Sequence, residues 1–361
     1  MILALTKKCN IACYMCNVHY KKGVLEEYPT MSSTVFSKIE PFFPFLKQLT
    51  LGGNGEPFID KDIFHRLDRI RHLNKAVFIE VFTNGLLLDS PTLVREAVHA
   101  IDMFRFSINA FSKNNYESIM VGGKYDKLLH NLAVFKQVRN DAGMKIKTSV
   151  ECIIMKRNIS DIDKSVEFCR ELGFDSLVFK PMWIIDDRTK EEFIKPEDAE
   201  ADILRELLPK VRHLGMRTGI EVEIYDEIFQ LYFNRDKERR ISDDISVVPV
   251  PKKHSYWGMM KNRITRNLAN KSVDYEKLPC SDPWNTIQIF ENGSVLLCCQ
   301  GLTPIGDLKE SSIEEIWNGE EAQRYRRGMI SGEYYGACRN CNRIVPRNLA
   351  SYEKAITRKK E

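Results

Sequence analysis

The sequence predicts an α/β protein: a parallel sheet of six β–α units, open or curled into a partial barrel, followed by a small Cys-rich module of β-hairpin and helix. Three observations carry this reading. From the N-terminus to about residue 225, short apolar runs alternate with amphipathic segments, and crossovers of a dozen or more residues between strands require parallel pairing. The alternation stops in 234–279, where a charged run at 234–240 and prolines 249 and 251 break any period. The ten cysteines are unevenly spread: Cys9, Cys13 and Cys16 near the start, Cys280, Cys298, Cys299, Cys338 and Cys341 in the last quarter, and only Cys152 and Cys169 between. A 361-residue chain that is 43% hydrophobic has material for about two domains at ~150 residues each.

The expected strands, in order, are Ile2–Thr6, Lys47–Leu51, Val77–Thr83, Met103–Ala110, Lys145–Met155 and Ser176–Lys180. Helical spacing marks Ser33–Phe43, Lys61–His72, Ser90–Val98 and Ile159–Leu172. Alternation within the strands separates two faces. Phe104, Phe106 and Ile108, with Ile146, Val150, Cys152 and Ile154, form the side that helices must cover. Arg105, Ser107, Asn109, Ser149 and Glu151, joined by Thr50, Glu80, Asn84 and Lys180, then line the opposite, concave face. A face this polar is expected to be a site rather than a packed core; solvated strand ends are the alternative. Cys152 and Cys169 follow the apolar parity of their elements and are expected in the core. The hairpin of the second module is Thr286–Phe290, a turn at Asn292-Gly293, and Ser294–Cys298. The expected domains are 1–225, a bridge 226–279, the Cys-rich module 280–345 and a basic helical tail 346–361.

Charge and composition exclude several roles. The 54 basic and 50 acidic residues leave +4, too little for a nucleic-acid surface as the main business of the chain. No apolar run approaches ~18 residues and no charged-then-apolar leader is present, which points to no membrane partner and a cytoplasmic chain. In a cytoplasmic chain of this size the cysteines are expected reduced and available to bind metal.

Cys9, Cys13 and Cys16 sit in the loop after the first strand, at the end of the sheet where α/β sites are built. Three thiolates in one loop suit a soft metal or an iron–sulfur cluster; a closed zinc site would need a fourth ligand, for which His19 is the neighbour. At this point the sequence resembles the radical S-adenosylmethionine (SAM) superfamily. The C-x3-C-x2-C spacing at 9–16 matches its cluster motif. Leu51-Gly52-Gly53-Asn54-Gly55-Glu56-Pro57 resembles its Gly-Gly-Glu motif, with Asn54 inserted, and Thr83-Asn84-Gly85 and Phe106-Ser107-Ile108-Asn109 match further family positions. The resemblance implies a partial (β/α)6 barrel of parallel strands and a [4Fe–4S] cluster on Cys9, Cys13 and Cys16. It further implies that Gly53, Asn54, Gly55 and Glu56 hold the amino group of SAM, that Asn84, Ser107 and Asn109 lie near the ribose or carboxylate, and that Met15 makes a backbone contact near the adenine. The implied chemistry is one-electron cleavage of SAM to a 5′-deoxyadenosyl radical, which takes hydrogen from unactivated C–H bonds while the protein supplies placement and water exclusion. A flavodoxin- or ferredoxin-type electron donor follows.

The second cysteine group resembles the SPASM extension of this superfamily, and more closely its shortened form, twitch, on Cys280, Pro283-Trp284, Gly293, Cys298, Ile305-Gly306-Asp307-Leu308, Ile316-Trp317-Asn318, Cys338 and Cys341. This implies one fully ligated auxiliary [4Fe–4S] cluster on Cys280, Cys298, Cys338 and Cys341; a zinc ribbon on the same ligands is the alternative. A closed cluster has no place for substrate and suits electron acceptance. By resemblance to twitch relatives, the expected reaction is therefore two-electron oxidation of a small-molecule or carbohydrate-type substrate, with Glu151 and Lys180 as candidate bases and Asp186 and Asp187 behind them. Cys299 is read as a hydrogen-atom donor or an inert thiol. A peptide maturase is the first alternative, set second because such enzymes often carry a leader-recognition domain ahead of the core. A redox-neutral epimerase using Cys299 is another, and a non-catalytic iron–sulfur or zinc scaffold is a third.

Overall fold

The computed structural model describes residues 1–20, 27–233, 280–298 and 303–341. Residues 234–279 of the expected bridge 226–279, the expected tail 346–361 and Cys299 lie outside these residues. One ten-stranded sheet runs through the molecule. In chain order its elements are β1 (Ile2–Leu3), α1 (Ser33–Ile39), β2 (Gln48–Leu51), α2 (Ile63–Leu73), β3 (Phe78–Thr83), α3 (Pro91–Ala100), β4 (Met103–Ser107), α4 (Lys113–Ile119), α5 (Tyr125–Asp141), β5 (Lys147–Ile153), α6 (Ser165–Leu172), β6 (Ser176–Lys180), α7 (Asp187–Glu192), α8 (Ala199–Thr218), β7 (Glu221–Ile224) and α9 (Asp226–Tyr232). The second module adds α10 (Asp282–Asn285), β8 (Gln288–Ile289), β9 (Ser294–Leu296), β10 (Gly306–Asp307), α11 (Ile313–Asn318) and α12 (Glu320–Ser331). Strands β1 to β7 are parallel neighbours in sequence order, the curved sheet of a partial barrel.

The two-face reading holds strand by strand. Leu3, Leu51, Val81, Phe104, Phe106, Val150 and Leu177 are buried under the helices, and Phe135 of α5 meets both Phe104 and Phe106 edge-on at 4.8 and 5.2 Å. The helices start where the sequence provides caps: Ser32 accepts from the Val35 amide ahead of α1, and Ser90 from the Leu93 amide ahead of α3, with Pro91 in the first turn. Cys152 and Cys169 are fully buried in the core.

The strands end earlier than their apolar runs. Met103–Ala110 is cut to Ser107 and Lys145–Met155 to Ile153, because the Asn109 side chain, rather than a backbone carbonyl, accepts from the Ile153 amide at 2.8 Å. The helix expected over Ser33–Phe43 tightens into a 3₁₀ turn at Glu40–Phe45, where Pro41 and Pro44 cannot continue α-helical hydrogen bonding. Elements that the periodicity did not mark also appear. They include α4 and α5 in the long β4–β5 crossover, α7, α8 and α9, and a seventh parallel strand, β7, whose Glu-Val-Glu-Ile alternation suits a half-buried sheet edge.

The Cys-rich module joins the same sheet. Strand β8 lies parallel to β1, Gln288 opposite Ile2 and Ile289 opposite Leu3, and β9 returns antiparallel to it through a turn with Gly293 at φ 96. Residues 280–285 therefore enter, and Cys298 leaves, at the N-terminal end of the parallel strands, opposite the end that carries the Cys9 loop. Lys38 of α1 donates to the Leu308 carbonyl and fastens the module to the first helix. Among the described residues no helix is long and apolar enough to cross a membrane.

Candidate active site

The loop after β1 carries Cys9, Cys13 and Cys16, and its backbone is pinned on both sides. Ala12 and Tyr14 donate to the carbonyls of Val121 and Ile119 at 2.8 and 2.7 Å, and Glu56 donates to the Lys8 carbonyl at 2.8 Å. Gly55 is required there, since a side-chain carbon would collide with the Thr6 and Lys8 carbonyl oxygens. Burial pushes the Cys9 thiol up to about 12, and burial with the neighbouring thiols Cys9 and Cys16 pushes Cys13 well above the ordinary range. Burial and neighbouring thiols thus make Cys9 and Cys13 costly to ionise, a cost that the positive charge of a bound metal cluster would remove. The amides of Val18 and His19 already point at the Cys16 sulfur, at 3.4 and 3.3 Å.

His19, the one potential fourth zinc ligand, is committed elsewhere. It is 1% exposed, its Nε2 lies 2.8 Å from the Asn54 carbonyl, and its ring meets Tyr28 edge-on. An acceptor at Nε2 requires the proton on that nitrogen. The residue is a strut between the cysteine loop and the Gly53-Asn54-Gly55-Glu56 turn.

The polar residues expected around this mouth divide into two groups. Asn84 donates from Nδ2 to Asn10 Oδ1 at 2.8 Å and accepts from the Leu86 amide at 3.0 Å, so it staples the third βα turn to the cysteine loop. Asn109 accepts from Ile153 and turns its Nδ2 to the Met120 sulfur at 3.3 Å, while Met120 also lies 3.7 Å from the Cys13 sulfur. Glu56 accepts from Thr83 Oγ1 and the Asn84 amide, both at 2.8 Å, and from the Phe58 amide at 3.3 Å; burial outweighs these bonds and raises its pKa to about 7. Ser107, at the end of β4, has no hydrogen-bond partner among the described residues and stays available to a ligand. Gly53 (φ 142) is exposed with Asn54 half-buried beside it, and Met15 packs against the core.

Below the mouth the concave face is one ionic ladder. Glu80 accepts from Gln48 and Thr50 at 2.9 and 2.7 Å. Arg105 bridges Glu80 and Glu151, each at 2.8 Å. Glu151 also takes Ser149 Oγ and pairs with Lys180 Nζ, both at 2.7 Å. Burial works to raise the pKa of Glu151, which is 4% exposed, but the charges of Lys180 and Arg105 hold it below the usual carboxylate range. The two residues singled out as bases are thus partners, with Lys180 on the mouth side, its ammonium 5.0 and 5.7 Å from the ring centres of Phe82 and Tyr225. Asp186 caps α7 by accepting from the Thr189 amide at 2.9 Å and pairs with Arg188; Asp187 is exposed.

Sequence reasoning missed three features. Arg105 appeared only as a polar member of its strand, and its place between two carboxylates needed the register. His19 was read only as a possible ligand. Arg157 and Arg188 stack on the cysteine-loop tyrosines, 3.9 Å from Tyr14 and 4.0 Å from Tyr20, a contact with no local signal.

At the other end of the sheet, Cys338 is pushed up to about 12 by burial and by the charges of Cys298, Cys341 and Cys280, so these four thiols share one neighbourhood. Leu297, Tyr325, Met329, Trp284, Trp317 and Tyr335 pack around it. Arg326 braces it, donating to the Pro283 and Trp317 carbonyls at 2.9 and 2.8 Å. The Asp282 carboxylate acts on Cys338 as well, and four thiols are the donor chemistry that an iron–sulfur cluster takes.

Comparison with known proteins gives two family matches: the radical SAM superfamily over residues 3–169 and SPASM, an iron–sulfur cluster-binding domain, over 280–342. The chain is 22% identical over 351 residues to the tungsten-containing aldehyde ferredoxin oxidoreductase cofactor-modifying protein of Pyrococcus furiosus, covering 95% of this chain and 86% of that one. It is 23% identical over 351 residues to the AdoMet-dependent heme synthase of Methanosarcina barkeri, covering 93% and 86%. In fold it matches Streptococcus suis SuiB bound to S-adenosylmethionine, with TM-score 0.59 and 17% identity, over 88% of this chain and 65% of SuiB. The chain thus spans about two thirds of that larger protein.

Proposed function

The chain belongs to the radical SAM superfamily and carries a SPASM domain, and we propose that within that family it oxidises a small-molecule substrate by two electrons, the second electron leaving through the auxiliary cluster. When bound, SAM with its [4Fe–4S] cluster supplies hydrogen-atom abstraction from an unactivated C–H bond, and a second [4Fe–4S] cluster supplies the electron acceptor. Cys9, Cys13 and Cys16 would hold the first and Cys280, Cys298, Cys338 and Cys341 the second. Gly53 to Glu56 and Ser107 would hold SAM, with Asn84, Asn109 and Met15 shaping its surroundings. The chain would divide into a core 1–225, a bridge 226–279, the auxiliary module 280–345 and a tail 346–361, and a flavodoxin- or ferredoxin-type protein would deliver the first electron.

Oxidation of a carbon bearing OH or NH to a carbonyl or imine releases a hydrogen atom, a proton and an electron. The protein must take the proton. The Lys180–Glu151 pair is suited to this: as Lys180 takes the substrate proton on Nζ it would hand one of its own N–H protons across 2.7 Å to the Glu151 carboxylate, which its cationic neighbours keep ionised beforehand. The observation that carries the reading is topological. The two thiol groups stand at opposite ends of the paired strands β1 and β8, and the polar concave face lies on the sheet that joins them. The curated relatives matched over most of their length are named for a cofactor and for heme, which favours a small molecule over a peptide.

Anaerobic reconstitution and turnover test this. About eight irons per chain are expected, as two four-iron clusters, with product two electrons more oxidised than substrate and one 5′-deoxyadenosine per product. About four irons with zinc present, or an inverted product at unchanged oxidation level, would overturn it. Peptide modification is the second reading: SuiB, which shares this fold, has also been solved bound to its precursor peptide SuiA, and a mass shift on a co-expressed peptide would favour it. Cys299 as hydrogen donor belongs to the epimerase reading and is tested by Cys299→Ala under the same assay.

A further inference from the structure

We propose that the C-terminal module contributes directly to the SAM site, through Gln288, whose side-chain amide binds the α-carboxylate of the SAM methionine. The proposal rests on SAM binding by this chain and goes beyond it by placing one of its contacts outside the barrel core. Strand register locates the residue. Ile289, Leu3, Leu51 and Val81 form one row across four neighbouring strands and all face the helices. Gln288, Ile2, Thr50 and Glu80 form the adjacent row, which by the alternation of strands faces the concave side, where Thr50 and Glu80 are hydrogen-bonded to each other.

Gln288 is 6% exposed, yet its amide has no hydrogen-bond partner among the described residues. A primary amide offers two donors and one acceptor oxygen, so this side chain holds hydrogen-bonding capacity that no described residue takes up. Its Nε2 lies 3.8 Å from where a side-chain carbon on Gly53 would stand. Gly53 is itself exposed, at the Gly-rich turn. Two polar side chains at this turn are engaged, Glu56 with Thr83, Asn84 and Phe58, and Asn84 with Asn10 and Leu86; Asn54, next to Gly53, gives its backbone carbonyl to His19. A ligand with an amino acid end, held by backbone at Gly53, meets the Gln288 amide on the sheet side of the turn, and a neutral N–H donor matches a carboxylate.

The full-length reconstituted chain tests this by equilibrium binding of SAM and of 5′-methylthioadenosine, which has the same nucleoside without the amino acid. Loss of one hydrogen bond to a charged group, ~1.5 kcal/mol or more, predicts that Gln288→Leu weakens SAM binding by about tenfold with 5′-methylthioadenosine binding and iron content unchanged. Gln288→Glu, which sets a carboxylate against a carboxylate, should weaken SAM further. SAM binding equal to the parent's in Gln288→Leu overturns the proposal, as does equal weakening of both ligands. Failure of the parent chain itself to bind SAM would instead overturn the family reading.

Discussion

The two cysteine groups are built in contrasting ways. Around Cys9, Cys13 and Cys16 the structure is polar and stapled: Asn84 to Asn10, His19 to Asn54, Glu56 to Lys8. Around Cys280, Cys298, Cys338 and Cys341 it is an aromatic sleeve of Trp284, Trp317, Tyr325 and Tyr335 with a braced arginine. The difference matches the division of labour proposed above. On that reading, three ligands in a polar web would keep one position open to a polar cofactor, and four ligands in an apolar sleeve would close the site and leave only electrons to exchange.

The strongest test of this contrast is to remove one group at a time. Cys9→Ala, Cys13→Ala and Cys16→Ala together should abolish SAM cleavage, measured as 5′-deoxyadenosine, and halve the iron. Cys280→Ala should leave cleavage running without coupled product. If both changes abolish cleavage equally, the division of labour is wrong.

Next in size is the ladder between the groups. Arg105→Leu leaves Glu80 and Glu151 facing one another without their shared cation, a loss of about 3–5 kcal/mol for a broken buried pair, read as a lower unfolding midpoint in denaturant. Lys180→Met removes only one of two cations on Glu151 and should cost less stability while lowering turnover.

The mouth should also be pH-sensitive before SAM binds. Glu56 ionises at about 7 in the folded chain against the ordinary carboxylate range when unfolded, so its protonated form is favoured by folding. That contribution, about 3 kcal/mol at ~1.4 kcal/mol per unit, is fully present below pH ~4.5 and lost as pH rises through about 7. Denaturant midpoints of the chain without SAM should fall across that window, and Glu56→Gln should flatten the fall.

The smallest effect belongs to the strut. His19→Ala removes one buried hydrogen bond, ~1–2 kcal/mol, and should weaken SAM binding several-fold without touching auxiliary iron. His19→Gln, whose amide can reach the same carbonyl, should restore most of it. An unchanged SAM affinity in His19→Ala would reduce the strut to packing.

Much of this was legible from side-chain order alone. Strand parity separated Phe104 and Phe106 from Arg105 and Ser107 correctly, because one face of a strand must be buried and period two leaves no freedom about which residues share it. Cysteine spacing identified both thiol groups. The less legible parts depend on partners distant in sequence. Glu151 and Lys180 looked like independent bases until register set them 2.7 Å apart, and the hydrogen bond of Asn84 to Asn10 in the cysteine loop has no local signal. Strand β7 escaped notice because a half-buried edge strand has few apolar residues.

By itself, then, the sequence determined the class of sheet, its two faces and the two sets of thiols, since local periodicity and ligand spacing are carried within a few residues. Tertiary structure alone decided that β8 pairs with β1, that Arg105 stands between Glu80 and Glu151, and that Gln288 reaches Gly53. Those facts depend on register between segments up to nearly three hundred residues apart, which no local pattern encodes.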